Sequence, residues 1–336
     1  PDHRSGIRNC KGAASLMSDK LHLLGGSGRI GRSLVDSLIA RPLNNVSSIQ
    51  IYCDSTKVSH LQSHYSKSTS PWVKASGYSA FNKLSTSSES YSEILAANRH
   101  IVLNLRGINN KQYWLNQPLD ALELHARSCS AVVDANLWMQ PGSEIIHLSS
   151  LLCDLIEGPR SLEEICEGQE SYRRPYMVSR LHQEMILSAN AYQHSICTSF
   201  LRMPAVYGFE DDHLSPWVLN SLCKAKLRGQ RVEPRHPDRI VYLAHRDPLL
   251  ACIRALIVES ACREKQRTVN YLRPPMLRMS VLSLATLVEE SPRLLSSKEA
   301  VDLQIMLQGD VEISHYNLAA HLDLLTNSIS ELLAGR

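Results

Sequence analysis

The sequence predicts an α/β fold: a doubly wound parallel sheet covered by helices on both faces, followed by a smaller unit. Short apolar segments alternate with segments of helical periodicity over most of the first 208 residues. A glycine-rich turn joins the first apolar segment to the first helical one. The chain length of 336 residues allows two domains, or one large unit, with a substantial core.

Each strand of the predicted sheet is short and apolar. The predicted strands cover residues 21–24, 49–53, 101–105, 144–148 and 199–202. The predicted helices between them cover residues 33–40, 119–135 and 178–191. Strands that alternate with helices in this way form parallel sheets. Between residues 59 and 92 serine is frequent and apolar periodicity is weak, so we expect irregular surface structure there.

The same patterns divide the chain into three parts. Residues 1–16 mix charge, glycine and cysteine without periodicity, and we interpret them as a leader before a natural first residue at Met17. Residues 17–208 form the predicted sheet domain. Residues 209–336 contain helical segments at 217–228, 247–259 and 280–289, and prolines lie in the stretches between them. We expect this last part to be mostly helical and mainly a substrate-binding region.

Composition excludes several classes of protein. Hydrophobic residues make up 43% of the chain and the formal net charge is +3, so no strong field predicts a nucleic-acid partner. The nine cysteines include no C-x-x-C pair, which is typical of reduced thiols in a cytoplasmic protein. No apolar segment approaches the roughly 18 residues that would predict a membrane span. His60 and His64 are four residues apart without a further ligand nearby in the sequence, so we predict no metal site.

The glycine turn indicates a nucleotide site. Gly25, Gly28 and Gly31 follow the pattern G-x-x-G-x-x-G between a strand and a helix. Glycines in this context let the backbone turn tightly, approach a pyrophosphate and pack the helix against the strand. The amide groups at the start of the helix, at Arg29 and Ile30, would face that pyrophosphate. The sequence therefore predicts a Rossmann-type dinucleotide-binding domain.

The end of the second predicted strand bears on the choice of dinucleotide. Asp54 stands there, 23 residues after Gly31, and would hydrogen-bond the adenosine ribose and repel a 2′-phosphate. This arrangement favours NAD(H) as the cofactor. Arg29 and Lys57 could instead hold a phosphate, and Asp54 could simply begin a turn, so NADP(H) stays open on the sequence alone.

Several motifs occur together in the order and spacing of one known family. They are the glycine turn, Asp54, the strand end Ser149-Ser150, the segment Tyr176 to Glu184 with Arg180, the segment Leu201 to Gly208 and the segment Arg239 to Asp247. On these residues the chain resembles the extended short-chain dehydrogenase/reductase family, the NAD-dependent epimerase/dehydratase group that acts mostly on nucleotide sugars. The resemblance covers about residues 20 to 290.

The resemblance implies a catalytic site. Tyr176 would be the general acid/base that exchanges a proton with the substrate oxygen, and Ser150 would donate a hydrogen bond to the same oxygen. Arg180 stands where the family has lysine. We expect it either to take over the lysine's contact with the cofactor ribose or to leave the site slowed, repurposed or inactive. On the residues alone, Tyr176 could be a half-buried helix tyrosine and Ser150 a strand-end cap.

The implied substrate is a nucleotide-linked sugar. Arg239 would contact its diphosphate, or would pair with Asp238 or Asp247 at the surface. We expect reduction of a keto group, with epimerisation as the alternative and an inactive dinucleotide-sensing or scaffold protein as a third interpretation. Dehydration is not expected, because Leu151-Leu152 replaces the acidic pair that dehydratases of the family carry. Many relatives dimerise through two helices, so a homodimer is expected.

Overall fold

The computed structural model describes residues 19–66, 72–85, 99–107, 111–135, 142–155, 173–209, 218–234, 236–260, 269–294 and 318–333. The predicted leader, residues 1–16, lies outside these ranges.

A parallel sheet forms the centre of the fold. Its described strands are β1 (Asp19–Leu24), β2 (Val46–Cys53), β3 (Val73–Gly77), β4 (His100–Asn104), β5 (Glu144–Ser150), β6 (Cys197–Met203) and β9 (Val269–Leu272). They lie in the order β3-β2-β1-β4-β5-β6-β9, so the chain winds outward from β1 in both directions. Every pairing between them is parallel. The predicted doubly wound α/β fold is confirmed.

The helices cover this sheet and build the smaller unit. They are α1 (Arg29–Ala40), α2 (Ser55–Ser66), α3 (Tyr78–Asn82), α4 (Lys111–Asn116), α5 (Pro118–Asp134), α6 (Arg173–His194), α7 (Val218–Leu227), α8 (Arg246–Ser260), α9 (Val281–Leu294) and α10 (Leu318–Leu333). Within the described ranges no helix combines the length and the apolar character that crossing a membrane requires.

Apolar stripes on the helices explain how they pack. On α1, Leu34 and Leu38 are one turn apart and buried against Leu23 and Ile51 of the sheet. Helix α8 adds residues such as Ile253 to the same cluster. The opposite face of the sheet is covered by α5 and α6, and its apolar cluster includes Val102, Ile145, Phe200, Val132 and Leu187.

The expectation of irregular structure throughout residues 59–92 is wrong. Helix α2 continues to Ser66, with Leu61 and Tyr65 buried one turn apart. Strand β3 pairs with β2 through contacts such as Ala75 with Ile51. An edge strand of this kind needs only one neighbour and few apolar residues, so its sequence signal is weak. Residues 86–92 lie outside the described ranges.

The three helices expected after residue 208 are confirmed as α7, α8 and α9, but they do not form one unit. Strand β9 pairs with β6 at the edge of the main sheet, and α8 packs with α1. A second sheet of the described strands β7 (Ala205–Tyr207), β8 (Ile240–His245) and β10 (Leu277–Ser280) lies in the order β10-β8-β7. Helices α7, α9 and α10 share an apolar cluster with this sheet.

Candidate active site

The glycine turn is folded tightly between β1 and α1. Gly25 has φ +82°, a conformation that favours glycine, and its amide donates to the Tyr52 carbonyl at 3.0 Å. A Cβ at Gly31 would lie only 2.5 Å from the Cα of Gly26. The turn therefore depends on glycine for its shape and for close packing of the helix.

The start of α1 is open toward the carboxyl edge of the sheet. Gly28 is the N-cap residue and supplies no side chain to cap the helix. A Cβ there would meet only the Gly25 carbonyl oxygen, at 3.3 Å. Arg29 directs its guanidinium over the Phe209 ring, with Cζ 5.0 Å from the ring centroid, and Ile30 packs against the core. Uncapped amides at a helix start fit the pyrophosphate of a dinucleotide.

Asp54 lies at the same edge. It follows β2 directly and is exposed, and its carbonyl accepts a hydrogen bond from the Lys57 amide at 2.9 Å. It thus has the position expected of a ribose-binding carboxylate, and it also begins α2 through its backbone. Both interpretations of the sequence are compatible with this geometry.

The two serines at the end of β5 have different partners. Ser150 is buried, and its hydroxyl accepts a hydrogen bond from the Leu152 amide at 3.3 Å. Ser149 donates to the Glu184 carboxylate of α6 at 2.5 Å. The Ser149 hydroxyl is therefore held by the protein interior, while Ser150 caps the turn of 3₁₀ helix, Leu151–Leu155, that follows β5.

Tyr176 lies in the first turn of α6 among aromatic side chains. Its ring is half-buried and meets Trp114 edge-on, with centroids 5.6 Å apart, and His125, with centroids 6.4 Å apart. The Arg180 guanidinium carbon is 5.2 Å from the Tyr176 ring centroid. Such contacts restrict the orientation of the phenol ring.

Arg180 extends into the interior. Its side chain is 4% exposed and donates from Nη1 to the Leu148 carbonyl at 3.3 Å and to the Gln183 side chain at 3.1 Å. A Cβ added to the exposed Gly107 would collide with its guanidinium. The cation therefore lies directly beneath the backbone that follows β4, next to the carboxyl edge of the sheet.

Two histidines near Arg180 are held neutral. Burial and the nearby Arg180 lower the pKa of His125 to about 2 and that of His147 to about 3. His125 shares a hydrogen bond of 2.6 Å with Ser179, whereas neither ring nitrogen of His147 has a partner within the described part of the chain. This cluster could not be predicted from the sequence, because its members come from three separate elements, α5, β5 and α6.

A buried ion network also escaped the sequence interpretation. Arg202 of β6 is 2% exposed and binds the Glu184 carboxylate in a fork, with distances of 3.1 and 2.7 Å. It also binds Asp154 at 2.6 Å, and Asp154 in turn accepts from the exposed Arg273 at 2.8 Å. The network ties α6 to β6 beside the end of β5. The sequence shows the segments that contain Glu184 and Arg202, but the ion pair between these two residues depends on the topology of the fold.

The network supports a prediction about stability. Replacing Arg202 by leucine leaves the buried Glu184 without its cation, so we expect the free energy of unfolding to fall by about 3–5 kcal/mol. Arg273→Leu removes an exposed partner of the same Asp154 and should cost less than about 1 kcal/mol. Urea unfolding of both variants measures the difference. An equal decrease in the free energy of unfolding for the two variants would contradict the prediction that the buried ion pair stabilises the protein more than the exposed one.

Arg239 lies apart from the glycine turn. It is exposed and immediately precedes β8, and its carbonyl accepts a hydrogen bond from Val281 at 2.8 Å. The opposite end of β8 is the one near the turn, since Arg246 and Arg29 both lie over Phe209. Asp247 pairs with Arg246 at 2.8 Å.

The residues predicted for the site fall into two groups in the structure. The first group lies at the glycine turn and the end of β4 and contains Gly25, Gly28 and Asp54. The second group lies near the end of β5 and contains Tyr176 and Arg180.

The family model for the NAD dependent epimerase/dehydratase family matches residues 21–239. The chain belongs to this family. The resemblance seen in the sequence motifs is thereby confirmed. Proteins of this family are enzymes. No protein among those with curated functions matches the sequence.

Solved structures share the fold at low identity. UDP-glucose 4-epimerase from Thermotoga maritima, solved with UDP-glucose, is 14% identical with a TM-score of 0.59, over 94% of this chain and 99% of that one. WbmF from Bordetella bronchiseptica, solved with NAD+, is 15% identical with a TM-score of 0.57, over 95% and 97%. A double mutant of the dTDP-glucose 4,6-dehydratase DesIV from Streptomyces venezuelae, solved with NAD, is 13% identical with a TM-score of 0.59, over 93% and 97%.

Proposed function

We propose that the protein is an NAD(P)-dependent oxidoreductase that reduces a keto group of a nucleotide-linked sugar. The observation that carries this proposal is the position of Tyr176, whose ring contacts Trp114, His125 and Arg180. Arg180, one helix turn further on, donates to the Leu148 carbonyl near the carboxyl end of β5. Family membership supports dinucleotide chemistry, and structural neighbours bind NAD or a nucleotide sugar. Ligands of open α/β sheets bind at this edge.

The residues that would hold the dinucleotide belong to the first half of the sheet. The amides of Gly28, Arg29 and Ile30 would receive its pyrophosphate, because no side chain caps this helix start. Gly25 and Gly31 keep the turn close to the sheet, and Asp54 would meet the adenosine ribose. When bound, the dinucleotide supplies the hydride that the reduction needs.

Tyr176 would supply the proton. Its phenol would donate a proton to the substrate carbonyl oxygen as that oxygen gains negative charge, and solvent would return a proton to Tyr176. Ser150 would hydrogen-bond the same oxygen. Arg180 would stabilise the phenolate through its charge, since its guanidinium lies over the Tyr176 ring. Arg239 is proposed to contact the diphosphate of the substrate, as an exposed arginine near the second sheet.

Reduction is favoured over dehydration because the described residues after Ser150, 151–155, offer no suitable acid. Leu151 and Leu152 follow Ser150, and the next carboxylate, Asp154, is engaged by Arg202 and Arg273. An elimination would need an acid and a base beside the sugar. A reduction needs only one hydride and one proton.

Epimerisation is the alternative, since the same serine and tyrosine could take up and return the proton of a sugar hydroxyl, while bound NAD+ would supply the acceptor for the hydride that is returned to the other face. An epimerase should contain dinucleotide that stays bound through purification and should need none added. A reductase should consume NADH or NADPH stoichiometrically with UDP- or dTDP-linked 4-keto-hexoses. Absorbance at the dihydronicotinamide band distinguishes the two.

The buried position of Arg180 favours a second candidate, a dinucleotide-binding protein that has lost catalysis. Its guanidinium donates to Leu148 and Gln183 within the interior, so it differs from a lysine that extends toward a ribose. Such a protein would bind dinucleotide without turnover on any keto sugar. If Arg180 retains the lysine's role, Arg180→Lys should keep or improve activity.

The dinucleotide site is tested by a pair of glycine variants. Gly28→Ala adds a methyl group at the N-cap of α1, 3.3 Å from the Gly25 carbonyl oxygen and next to the amides proposed to receive the pyrophosphate. We therefore expect dinucleotide binding to fall at least tenfold while the fold is kept, with a cost of at most about 1 kcal/mol. Gly31→Ala drives a Cβ into the Gly26 backbone and should destabilise the protein by about 2–4 kcal/mol. Calorimetric titration with NADH and thermal unfolding measure the two effects. Unchanged NADH affinity in a folded Gly28→Ala variant would overturn the proposed site.

A further inference from the structure

An arginine and a tyrosine form a stacked pair at the adenosine side of the glycine turn. Arg106 follows β4, Tyr78 begins α3 directly after β3, and the Arg106 guanidinium carbon is 4.0 Å from the Tyr78 ring centroid. β3 and β4 lie on opposite sides of the β2-β1 pair. The stacked pair therefore spans the carboxyl ends of β1 and β2, where Gly25 and Asp54 stand.

The backbone of Arg106 is fixed against the glycine turn. Its amide donates to the Asn104 side chain at 3.1 Å. A Cβ at Gly25 would lie 2.9 Å from the Arg106 nitrogen, so the two backbones are in close contact. The Arg106 side chain thus projects from a backbone position that is fixed beside Gly25, and its guanidinium packs against the face of the Tyr78 ring.

The surroundings of Tyr78 place Asp54 near this pair. Asp54 follows β2 and Tyr78 follows β3, and the last residues of these parallel strands, Cys53 and Gly77, are paired. Burial raises the pKa of Tyr78, the Arg106 charge lowers it and the Asp54 charge raises it. Asp54 and Arg106 therefore both lie near the Tyr78 phenol. Arg29, the arginine within the glycine turn itself, has its guanidinium over the Phe209 ring rather than over Tyr78. Lys57 is an exposed residue of α2.

We propose that Arg106, supported by Tyr78, determines dinucleotide specificity by binding the 2′-phosphate of NADP(H). This inference rests on the proposed function. A planar guanidinium can stack on a ring and bind a phosphate with two parallel hydrogen bonds. Asp54 alone would repel a 2′-phosphate, and a fixed cation in its neighbourhood offsets that repulsion. The wild-type protein should therefore bind NADPH within tenfold of its affinity for NADH.

The test is the ratio of two affinities, measured by calorimetric titration of NADPH and NADH into the purified protein. Arg106→Ala should weaken NADPH binding at least tenfold and change NADH binding less than threefold. Arg106→Lys keeps the charge but loses the planar fork, so it should give an intermediate ratio. Arg127→Ala, which removes an exposed arginine of α5 paired with Glu123, is the matched control and should leave both affinities unchanged.

Three outcomes would overturn the proposal, and they can be told apart. Equal weakening of NADH and NADPH by Arg106→Ala would mean that Arg106 binds a part common to both, and unchanged affinities for both dinucleotides would mean that it contacts neither. Either result leaves the proposed function intact. If the wild-type protein binds neither dinucleotide, the proposed function fails together with this inference. Circular dichroism of each variant verifies that the fold is kept.

Discussion

Replacing Tyr176 by phenylalanine is expected to lower turnover about 100-fold or more while dinucleotide affinity stays nearly unchanged. Phenylalanine keeps the ring that packs against Trp114 and His125, so the fold and the nucleotide cleft should be preserved. Only the proton donor is lost. Steady-state oxidation of NADH or NADPH with a nucleotide-linked keto sugar measures the effect.

A tyrosine on the same helix provides the control. Tyr192 is 66% exposed and lies four turns further along α6, so Tyr192→Phe should leave turnover unchanged. Wild-type turnover in Tyr176→Phe would refute the acid/base role. A proportional loss of turnover and of dinucleotide affinity would point to a role in binding instead.

Acid is expected to destabilise the protein strongly through three buried histidines. Burial and the neighbouring His100 and Lys20 lower the pKa of His22 well below its usual value, and burial and Arg180 lower the pKa of His125 and His147. In the unfolded chain these groups titrate near pH 6.5. Below pH 6.5 the folded state therefore binds fewer protons than the unfolded chain does. The free energy of unfolding is highest above pH 6.5 and decreases as the pH falls below it.

The loss is large enough to measure. His125 and His147 should each cost about 2 kcal/mol at pH 5.0 relative to pH 7.5, and His22 should change the stability in the same direction. Urea unfolding across this range gives the slope. His147→Leu should remove about 2 kcal/mol of the effect, since neither of its ring nitrogens has a partner in the described residues. His182→Gln, at an exposed position of α6, should leave the slope unchanged. A stability independent of pH between 7.5 and 5.0 would show that these rings are not held neutral.

The central part of the fold could be predicted from the sequence because of its burial. Central parallel strands are covered on both faces, so segments such as Ile101 to Leu103 must be continuously apolar. The edge strands β3 and β9 escaped prediction, since an edge has one neighbour and tolerates polar residues. Polar core residues such as His22, which hydrogen-bonds His100 at 2.8 Å, depend on partners far away in the chain.

For the candidate site, the sequence predicts residue types and spacings but not side-chain directions. The spacing of Tyr176 and Arg180 puts them one turn apart on a helix. That spacing does not say whether the Arg180 guanidinium extends toward the cleft or inward. Its direction depends on the Leu148 carbonyl and Gln183, and the Leu148 acceptor comes from a different element. The contact of Arg106 with Tyr78 also depends on the topology, because the two residues follow different strands, β4 and β3.

Dinucleotide binding at the glycine turn is tested most directly by titrating NADH and NADPH into the purified protein and into Gly28→Ala, together with mass analysis of small molecules released by heating. Saturable binding of one dinucleotide per chain, or its release in that ratio, and its loss in Gly28→Ala are the expected results. A folded protein that releases no dinucleotide and binds neither would contradict the assignment of this chain to nicotinamide chemistry.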